Sequence, residues 1–362
     1  MKLRRLWAVV LKELRQLRRD RVTLGMILGI PVMQLVLFGF AINTNVRGLS
    51  AGIVDEAGTA GSRAVVMDMI ATGVIKPVAT ADTPQELMTL IRRGEIRVGI
   101  HVPADFERRR IDGREALQVM VDGSDPAVQG AAAQLAQMPL DGTGNLRRAS
   151  PSISVVSFYN PERRSAVSIV PGLVGVILTM TMVLFTGVAI VRERERGNME
   201  LLIATPLSRA ELMVGKVLPY IAIGLVQTTA VLALGLSLFA VPVRGSMFDV
   251  YVAAGLLILA NLALGLLIST RAQSQFQAMQ MTFFVFLPSI LLSGFMFPFD
   301  GMPRVVQWIA EVLPLTHFLR IIRGVMLRGA SLWELWPDVL ALAAFTVVMM
   351  TLAISRFRKR LD

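Results

Sequence analysis

Cysteine is absent from this sequence of 362 residues, and histidine occurs only twice. Without thiols the chain forms no disulfide and offers no thiolate to a metal ion. His101 and His317 lie far apart in sequence, which leaves little material for a histidine-rich metal site or a Ser/His/Asp hydrolase. Charged residues are also scarce, at 17% against about 25% in soluble domains. We therefore predict no catalytic residue and no metal site in this chain.

Long apolar stretches without Asp, Glu, Lys or Arg fill much of the chain, which is 54% hydrophobic. A helix needs about 20 apolar residues to cross the hydrocarbon core of a bilayer. Buried helices of soluble proteins rarely run so long without a charge, so these stretches indicate membrane spans. The six predicted spans are 22–42, 165–191, 217–243, 250–270, 272–299 and 337–355. The first is expected to be an uncleaved anchor, because its apolar run is too long for a signal peptide.

The net charge of +11 is concentrated on one side of this predicted topology. The loops on the side of the N-terminus hold 18 basic and 7 acidic residues, whereas the loops on the other side hold 19 of each. The positive-inside rule assigns the basic side to the cytoplasm. We therefore expect 1–21 and 356–362 in the cytoplasm and 43–164 outside, and we do not expect nucleic acid as a partner.

The N-terminal segment 1–21 combines an apolar stripe at helical spacing with basic residues on its remaining surface. This pattern predicts an amphipathic helix that lies on the inner membrane surface and binds lipid. An ordinary basic flank that only sets topology is the alternative. The residues of this predicted interface helix that form the stripe include Leu3, Leu6, Trp7, Leu11 and Leu14.

Segment 43–164 has the texture of a separate α/β domain, because short apolar runs alternate with helical patterns. The predicted strands are Ala51–Val54, Val74–Val78, Arg97–Val102, Leu117–Val121 and Ile153–Phe158, and the predicted helices are Gly61–Ala71, Pro84–Arg93, Pro103–Arg110 and Pro126–Gln137. Thr83 and Glu86 have the spacing of a helix start. Asp55, Asp122 and Asp125 follow strands, where they are expected to be turn formers rather than site residues; His101 is expected to be structural.

The cytoplasmic loop 192–216 interleaves basic and acidic residues and then turns apolar. Opposite charges at helical spacing pair along a helix, Gly197 permits a sharp redirection, and Pro206 ends the segment. Such an elbow at the membrane surface is suited to dock a soluble partner, although a solvated loop is the alternative. The residues that carry this pattern are Arg192, Glu193, Arg194, Glu195, Gly197, Glu200, Leu201, Leu202 and Pro206.

This loop resembles the R-E-R-E-x-G-T-x-E-x-L-L-x-x-P run of permease subunits of ABC-2 type exporters, in particular the multidrug-efflux branch with a large external domain after the first span. Asn198 stands where Thr is common. The resemblance covers nearly the whole chain. It implies that the loop is the coupling helix that touches an ATP-binding subunit. It also implies that ATP and Mg bind to that partner, whereas this chain binds no cofactor. Two permease copies or paralogues are then expected to assemble in the bacterial cell inner membrane. An envelope adaptor is a further candidate partner.

The chain carries no energy source of its own. Gly215 and Lys216 are followed by Val217 and lack the upstream glycine of a P-loop. Apart from Asp338 at the outer edge of the last span, the spans also lack the Asp, Glu, Lys and Arg side chains on which proton-coupled transporters depend. A passive pore and a partner-powered subunit both remain open on these grounds, and the resemblance favours the second. The expected fold class is a polytopic α-helical membrane protein of six spans with an inserted extracytoplasmic α/β domain, the ABC-2 (type V) exporter fold.

Segment 300–336 is apolar, but its pieces are too short to cross a membrane, so two half-helices that re-enter from the outer face are predicted. The resemblance implies that they form an outer gate, with Pro298, Pro303, Pro314 and His317 as its residues.

The candidate substrate path consists of Thr181, Phe185, Gln227 and Thr228, for which packing between helices is the alternative. A membrane receptor or assembly factor and a lipid-modifying enzyme are alternative functions; a polar catalytic cluster is missing for the latter.

Overall fold

The structure is a computed structural model that describes residues 48–138, 152–162, 164–197 and 209–356. The predicted interface helix 1–21, the predicted first span 22–42 and the last six residues lie outside this described part of the chain. So does 198–208, which contains most of the apolar half of the predicted coupling loop.

Segment 43–164, which we call the outer domain after its predicted location, has in its described residues one mixed sheet of five strands in the order β2-β1-β3-β4-β5. β1 pairs in parallel with β2 and β3, β3 runs antiparallel to β4, and β4 is parallel to β5. The predicted strands and the partly parallel sheet are therefore confirmed. The strand bounds are Leu49–Asp55 (β1), Ile75–Thr80 (β2), Val98–Val102 (β3), Glu115–Asp122 (β4) and Ser152–Phe158 (β5).

Four helices within the described part of this segment cover the two faces of the sheet, because side chains of successive strand residues point to opposite faces. They are Ala60–Ala71 (α1), Pro84–Arg93 (α2), Phe106–Ile111 (α3) and Pro126–Ala136 (α4). Leu49 and Ala51 of β1 belong to the core with α1, α3 and α4, whereas Val54 belongs to the core with α2. At Gly52 a Cβ would lie 2.7 Å from Leu87 of α2, so a larger residue would force the Leu87 side chain to shift.

The predicted start of α2 is confirmed in detail. The Thr83 side chain accepts a hydrogen bond from the Glu86 backbone N–H, and the Glu86 carboxylate accepts one from Asp82 N at 3.0 Å. The helix ends at Gly94, whose φ of 76° is left-handed. These caps fix both ends of α2 and place Gly94 beside Arg328.

Five helices of the described part are long and apolar enough to cross a membrane. They are Ser165–Glu195 (α5), Arg209–Phe239 (α6, with its candidate span over Pro219–Phe239), Met247–Ser269 (α7), Gln275–Leu292 (α8) and Trp336–Arg356 (α11). α8 covers only part of the predicted span 272–299, because the chain leaves the helix before Gly294 at φ 87°. α5 continues beyond the predicted span 165–191 through the charged residues up to Glu195.

The bundle is organised around α7, of whose most apolar stretch 72% is buried. α7 packs against α5 and α11, and its buried residues include Leu257, Ile258 and Leu266. In contrast, only 22% of the corresponding stretch is buried in α6 and 11% in α11. The exposed faces of these two helices are apolar, with Val226 on α6 and Val347 on α11 more than half exposed. Such faces fit a lipid environment or another membrane helix.

Two short helices, Arg304–Glu311 (α9) and Pro314–Arg323 (α10), follow a single 3-10 turn at Phe299–Gly301. They meet at a bend of 85°, and α10 continues into a π-helical segment, Gly324–Arg328. α10 lies tightly on α5: a Cβ at Gly175 would lie 2.6 Å from the ring of the buried Phe318. The bent pair is therefore fixed to the second predicted span by direct contact with its glycine face.

Candidate functional site

The side chain of His317 joins the two halves of the bent pair to the last span. Its Nδ1 lies 2.8 Å from Asp338 Oδ1 in α11, and its Nε2 lies 2.7 Å from the backbone oxygen of Glu311 in α9. Both partners are acceptors, and a ring that donates at both nitrogens is the protonated one. His317 is only 7% exposed. The histidine predicted in the gate is thus a hub of three helices.

Arg320 reinforces the same hub from one turn along α10. Its Nη1 lies 3.1 Å from Glu311 Oε2 and 3.3 Å from Asp338 Oδ1. The guanidinium also stacks over the ring of Phe299, 4.6 Å from its centroid. The carboxylate of Asp338 therefore faces two cationic partners, which stabilise it without full exposure to water.

The three prolines predicted in the gate mark the starts of its helical pieces. Pro298 precedes the 3-10 turn, Pro303 precedes α9, and Pro314 is the first residue of α10. Proline suits these positions because its missing N–H has no partner in the first turn anyway. The prolines shape the bent pair, and the hydrogen bonds that hold it come from other residues.

A buried cluster of charges connects the outer domain to the bent pair. The Asp122 carboxylate at the end of β4 is fully buried, and its Oδ2 lies 3.1 Å from Arg328 Nη1 and 3.8 Å from Arg97 Nη1. Burial alone would raise the pKa of Asp122, but the two guanidinium groups and hydrogen bonds from Ser124 outweigh it and hold the pKa below its usual range.

The sequence interpretation of the aspartates was correct for Asp55 and incomplete for Asp122. Asp55 accepts hydrogen bonds from the backbone of Ala57 and Gly58, as a turn former does. Asp122 forms such a turn with Ser124 and is also the buried partner of Arg328. The overlooked signal was the arginine spacing in the apolar run 314–328, because Arg320, Arg323 and Arg328 in such a run need partners.

On the opposite side of the bundle, the charged end of α5 is used within the chain. Arg194 donates to the backbone oxygens of Ser269 and Ala272 at 2.8 and 3.1 Å, and the Glu195 carboxylate accepts from Gln275 N at 2.9 Å. Gly197 lies two residues beyond the end of the helix at Glu195 and has a left-handed φ of 73°, a conformation that glycine adopts without strain. Glu200, Leu201, Leu202 and Pro206 of the predicted contact lie outside the described residues.

The structure brings two of the four predicted path residues together. Thr181 of α5 donates to Gln227 Oε1 of α6 at 2.9 Å, and both side chains are partly buried. Thr228 is buried and donates to the Gly224 backbone oxygen of its own helix. Phe185 is 41% exposed on α5. The Thr181–Gln227 pair is therefore the polar feature of this group that links two helices.

A small polar cavity lies where the outer domain meets the bent pair. Its volume of about 20 Å³ has room for roughly one water molecule, which excludes a drug-sized ligand. Its lining includes Arg97, Asp125, Arg320, Arg323 and Arg328. This cavity belongs to the charged junction rather than to a route for substrate.

Comparison with known proteins gives matches along nearly the whole chain. The model of the ABC-2 family transporter proteins matches residues 21–355. A probable multidrug ABC transporter permease of Escherichia coli (strain K12), YbhS, is 33% identical over 371 residues, which cover 99% of this chain and 98% of the relative. The probable multidrug ABC transporter permease YbhR of the same strain is 29% identical, and the match covers 98% of this chain and 99% of the relative. The inner membrane transport permease YhhJ, also of that strain, is 28% identical, and the match covers 99% of this chain and 98% of the relative.

Proposed function

The chain belongs to the ABC-2 transporter family, and from this premise we propose that it is the membrane subunit of an ATP-driven exporter that moves amphipathic molecules, such as drugs, outward across the bacterial inner membrane. The observation that carries the proposal is the family match over 21–355. Two relatives bear the name of multidrug permeases, which supports the proposed substrate class. The energy comes from a separate ATPase chain, to which we assign ATP and Mg.

We propose six spans and the type V exporter fold, with 22–42 as the first span and the bent pair as a re-entrant element. α9 and α10 have 8 and 10 residues, so each is roughly 12–15 Å long and too short for a core of about 30 Å. The pair also carries charged side chains, which are costly at the bilayer centre. Its contact with the sheet domain through Asp122 and Arg328 supports a position at the outer surface.

We assign the proposed outer gate to the hub of His317, Arg320 and Asp338 together with α9 and α10. This hub fixes the bend between two short helices, and it lies at the end of the bundle that carries the outer domain. Opening the gate requires α10 to shift relative to its neighbours, for example α5 or α11.

At the other end of the molecule, Arg194 and Glu195 are engaged with 269–275. We therefore propose that they transmit force between α5, α7 and α8, whereas 198–206 supplies the surface that docks on the ATPase. The docking of two ATPase chains would then drive alternating access in an assembly of two permeases, identical or paralogous. An envelope adaptor remains a further proposed partner of the outer domain.

Purification and transport together test this function. The tagged chain, expressed with its genomic neighbours and extracted in mild detergent, is expected to co-purify with an ATP-binding protein. Inverted membrane vesicles that contain the complex are expected to accumulate a fluorescent lipophilic cation when ATP is added. If no ATP-binding protein is recovered and ATP drives no uptake of such probes, the exporter proposal is wrong and a receptor or assembly role gains support.

The contact with the ATPase is tested by matched charge removals on the two sides of the membrane. Glu200→Gln in the proposed docking segment is expected to reduce recovery of the ATPase and ATP-driven uptake. Glu162→Gln, at an exposed position near the outer domain, is the control and is expected to change neither. Equal behaviour of the two variants would contradict the assignment of the docking surface.

A further inference from the structure

Arg328 extends from the end of the bent pair into the outer domain. It is the last residue of the π-helical segment Gly324–Arg328, and its side chain is 4% exposed. Its Nη1 donates to Asp122 Oδ2 at 3.1 Å, and Asp122 is fully buried. π-helical turns are rare and occur frequently at functional sites, so the local backbone is itself unusual.

Two glycines line the space that the guanidinium occupies. A Cβ at Gly94, the left-handed end of α2, would lie 2.9 Å from Arg328 Nη1. A Cβ at Gly324 would lie 2.6 Å from Leu335 Cδ1 and 3.0 Å from Arg328 Nη2. A side chain at Gly94 would therefore press on the guanidinium, and one at Gly324 would press first on Leu335 and then on the guanidinium. We call the space bounded by Gly94, Gly324 and Asp122 the Arg328 socket.

Further ion pairs surround the socket and cross the same boundary between the outer domain and the gate region. Each has one partner in the outer domain and the other in 299–335. These pairs are Arg97–Asp300 at 3.9 Å, Asp125–Arg323 at 3.7 Å and Arg92–Glu334 at 2.7 Å. The junction thus combines one buried pair with partly exposed pairs around it.

Separation of the two surfaces at each transport cycle would break the buried Asp122–Arg328 pair together with the three ion pairs around it. It would also admit water to the side chains of Asp122 and Arg328, which are 0% and 4% exposed. On the basis of the proposed function, we infer that the outer domain and the segment Pro314–Arg328 move as one rigid body, with Arg328 in its socket as the positioning contact. A force applied to the outer domain is then transmitted directly to the outer gate.

A cross-link distinguishes a rigid junction from one that opens. The chain contains no cysteine, so Arg92→Cys with Glu334→Cys introduces the only two thiols. Bridging them with a short thiol cross-linker that contains a cleavable disulfide is expected to leave ATP-driven uptake within about twofold of the unbridged variant. Loss of uptake on bridging, with recovery after reduction, would show that the junction opens and would overturn the inference.

Hydrogen exchange tests the coupling without any transport assay. In the full chain in lipid nanodiscs, Asp122→Asn is expected to accelerate exchange at least about tenfold in both 115–122 and 314–328, because the two regions share one buried contact. Arg328→Lys keeps the charge but loses the planar fork, so a smaller acceleration is expected in both. Acceleration confined to one region in both variants would overturn the inference.

Asp112→Asn is the matched control for the exchange experiment. Asp112 pairs with Arg114 at 2.9 Å, but both side chains are about half exposed and lie within the outer domain. We expect no change at 314–328, and an acceleration there equal to that of Asp122→Asn would count against the socket. If the unmodified complex shows no ATP-driven uptake, the proposed function fails, while the exchange result still decides whether the two regions are coupled.

Discussion

The two histidines of the chain allow a matched test of the hub in the bent pair. His317→Ala removes two hydrogen bonds, to Asp338 and to the backbone oxygen of Glu311. An unsatisfied buried polar group costs about 1–3 kcal/mol. Asp338 keeps Arg320 at 3.3 Å and is partly exposed, so the lower part of that range applies to it. We expect His317→Ala to lower the free energy of unfolding by about 2–4 kcal/mol.

His101→Ala is the control for this measurement. His101 faces Glu56 with 3.4 Å between Nε2 and Oε2, and its ring nitrogens make no hydrogen bond among the described residues. Because no hydrogen bond is lost, the replacement is expected to cost about 1 kcal/mol or less. Thermal denaturation in detergent measures both variants, and His317→Ala should melt several degrees below His101→Ala. Equal melting temperatures would refute the assignment of His317 as a hub.

Three further predictions concern packing, pH and capping. Gly175→Ala places a methyl group 2.6 Å from Phe318, and this overpacking is expected to lower stability by about 1–3 kcal/mol. A Cβ at the control position Gly255 has nothing within 4 Å, so Gly255→Ala should be neutral or slightly stabilising. Thermal melts in detergent that rank the two variants in the opposite order would contradict the packing of α10 on α5. The pKa of Asp122 is lowered in the folded protein, so its ionised carboxylate stabilises the fold at pH values above the ordinary carboxyl pKa of 3.8. This stabilisation is lost as the pH falls below that value. The melting temperature of Asp122→Asn should therefore change less between neutral and acidic pH than that of the unmodified chain. Thr83→Ala removes the cap of α2 and should lower stability by about 1 kcal/mol, whereas Thr89→Ala, whose hydroxyl bonds the Gln85 backbone oxygen within the same helix, should cost less in the same melt.

Local patterns in the sequence were sufficient for most of the described architecture. Strand and helix positions in the outer domain follow from apolar alternation and from turn residues, and five of the predicted spans contain long apolar helices. The break between α9 and α10 follows from Pro314, which is the first residue of α10. The predicted span 272–299 extends beyond the end of α8, because the apolar sequence continues through Gly294 whereas the helical backbone ends at Leu292.

The candidate site depended more on contacts between distant segments. His317 was recognised as a candidate, but its partners Asp338 and Glu311 were not, since they are brought to it by the bend and by the start of α11. Arg194 and Glu195 were predicted to contact a partner chain, and the sequence did not reveal that they also bond to 269–275 of their own chain. Charge pattern alone does not reveal which neighbour a charged side chain contacts.

The sequence by itself determined the membrane location, the alternation of strands and helices outside it, and the family, because hydropathy, charge asymmetry and a local motif are properties of contiguous residues. Only the tertiary structure decided that Asp122 and Arg328, 206 positions apart, form one buried pair. The reason is physical: burial and pairing of charges depend on which surfaces close over them, and that closure involves segments that the sequence keeps far apart.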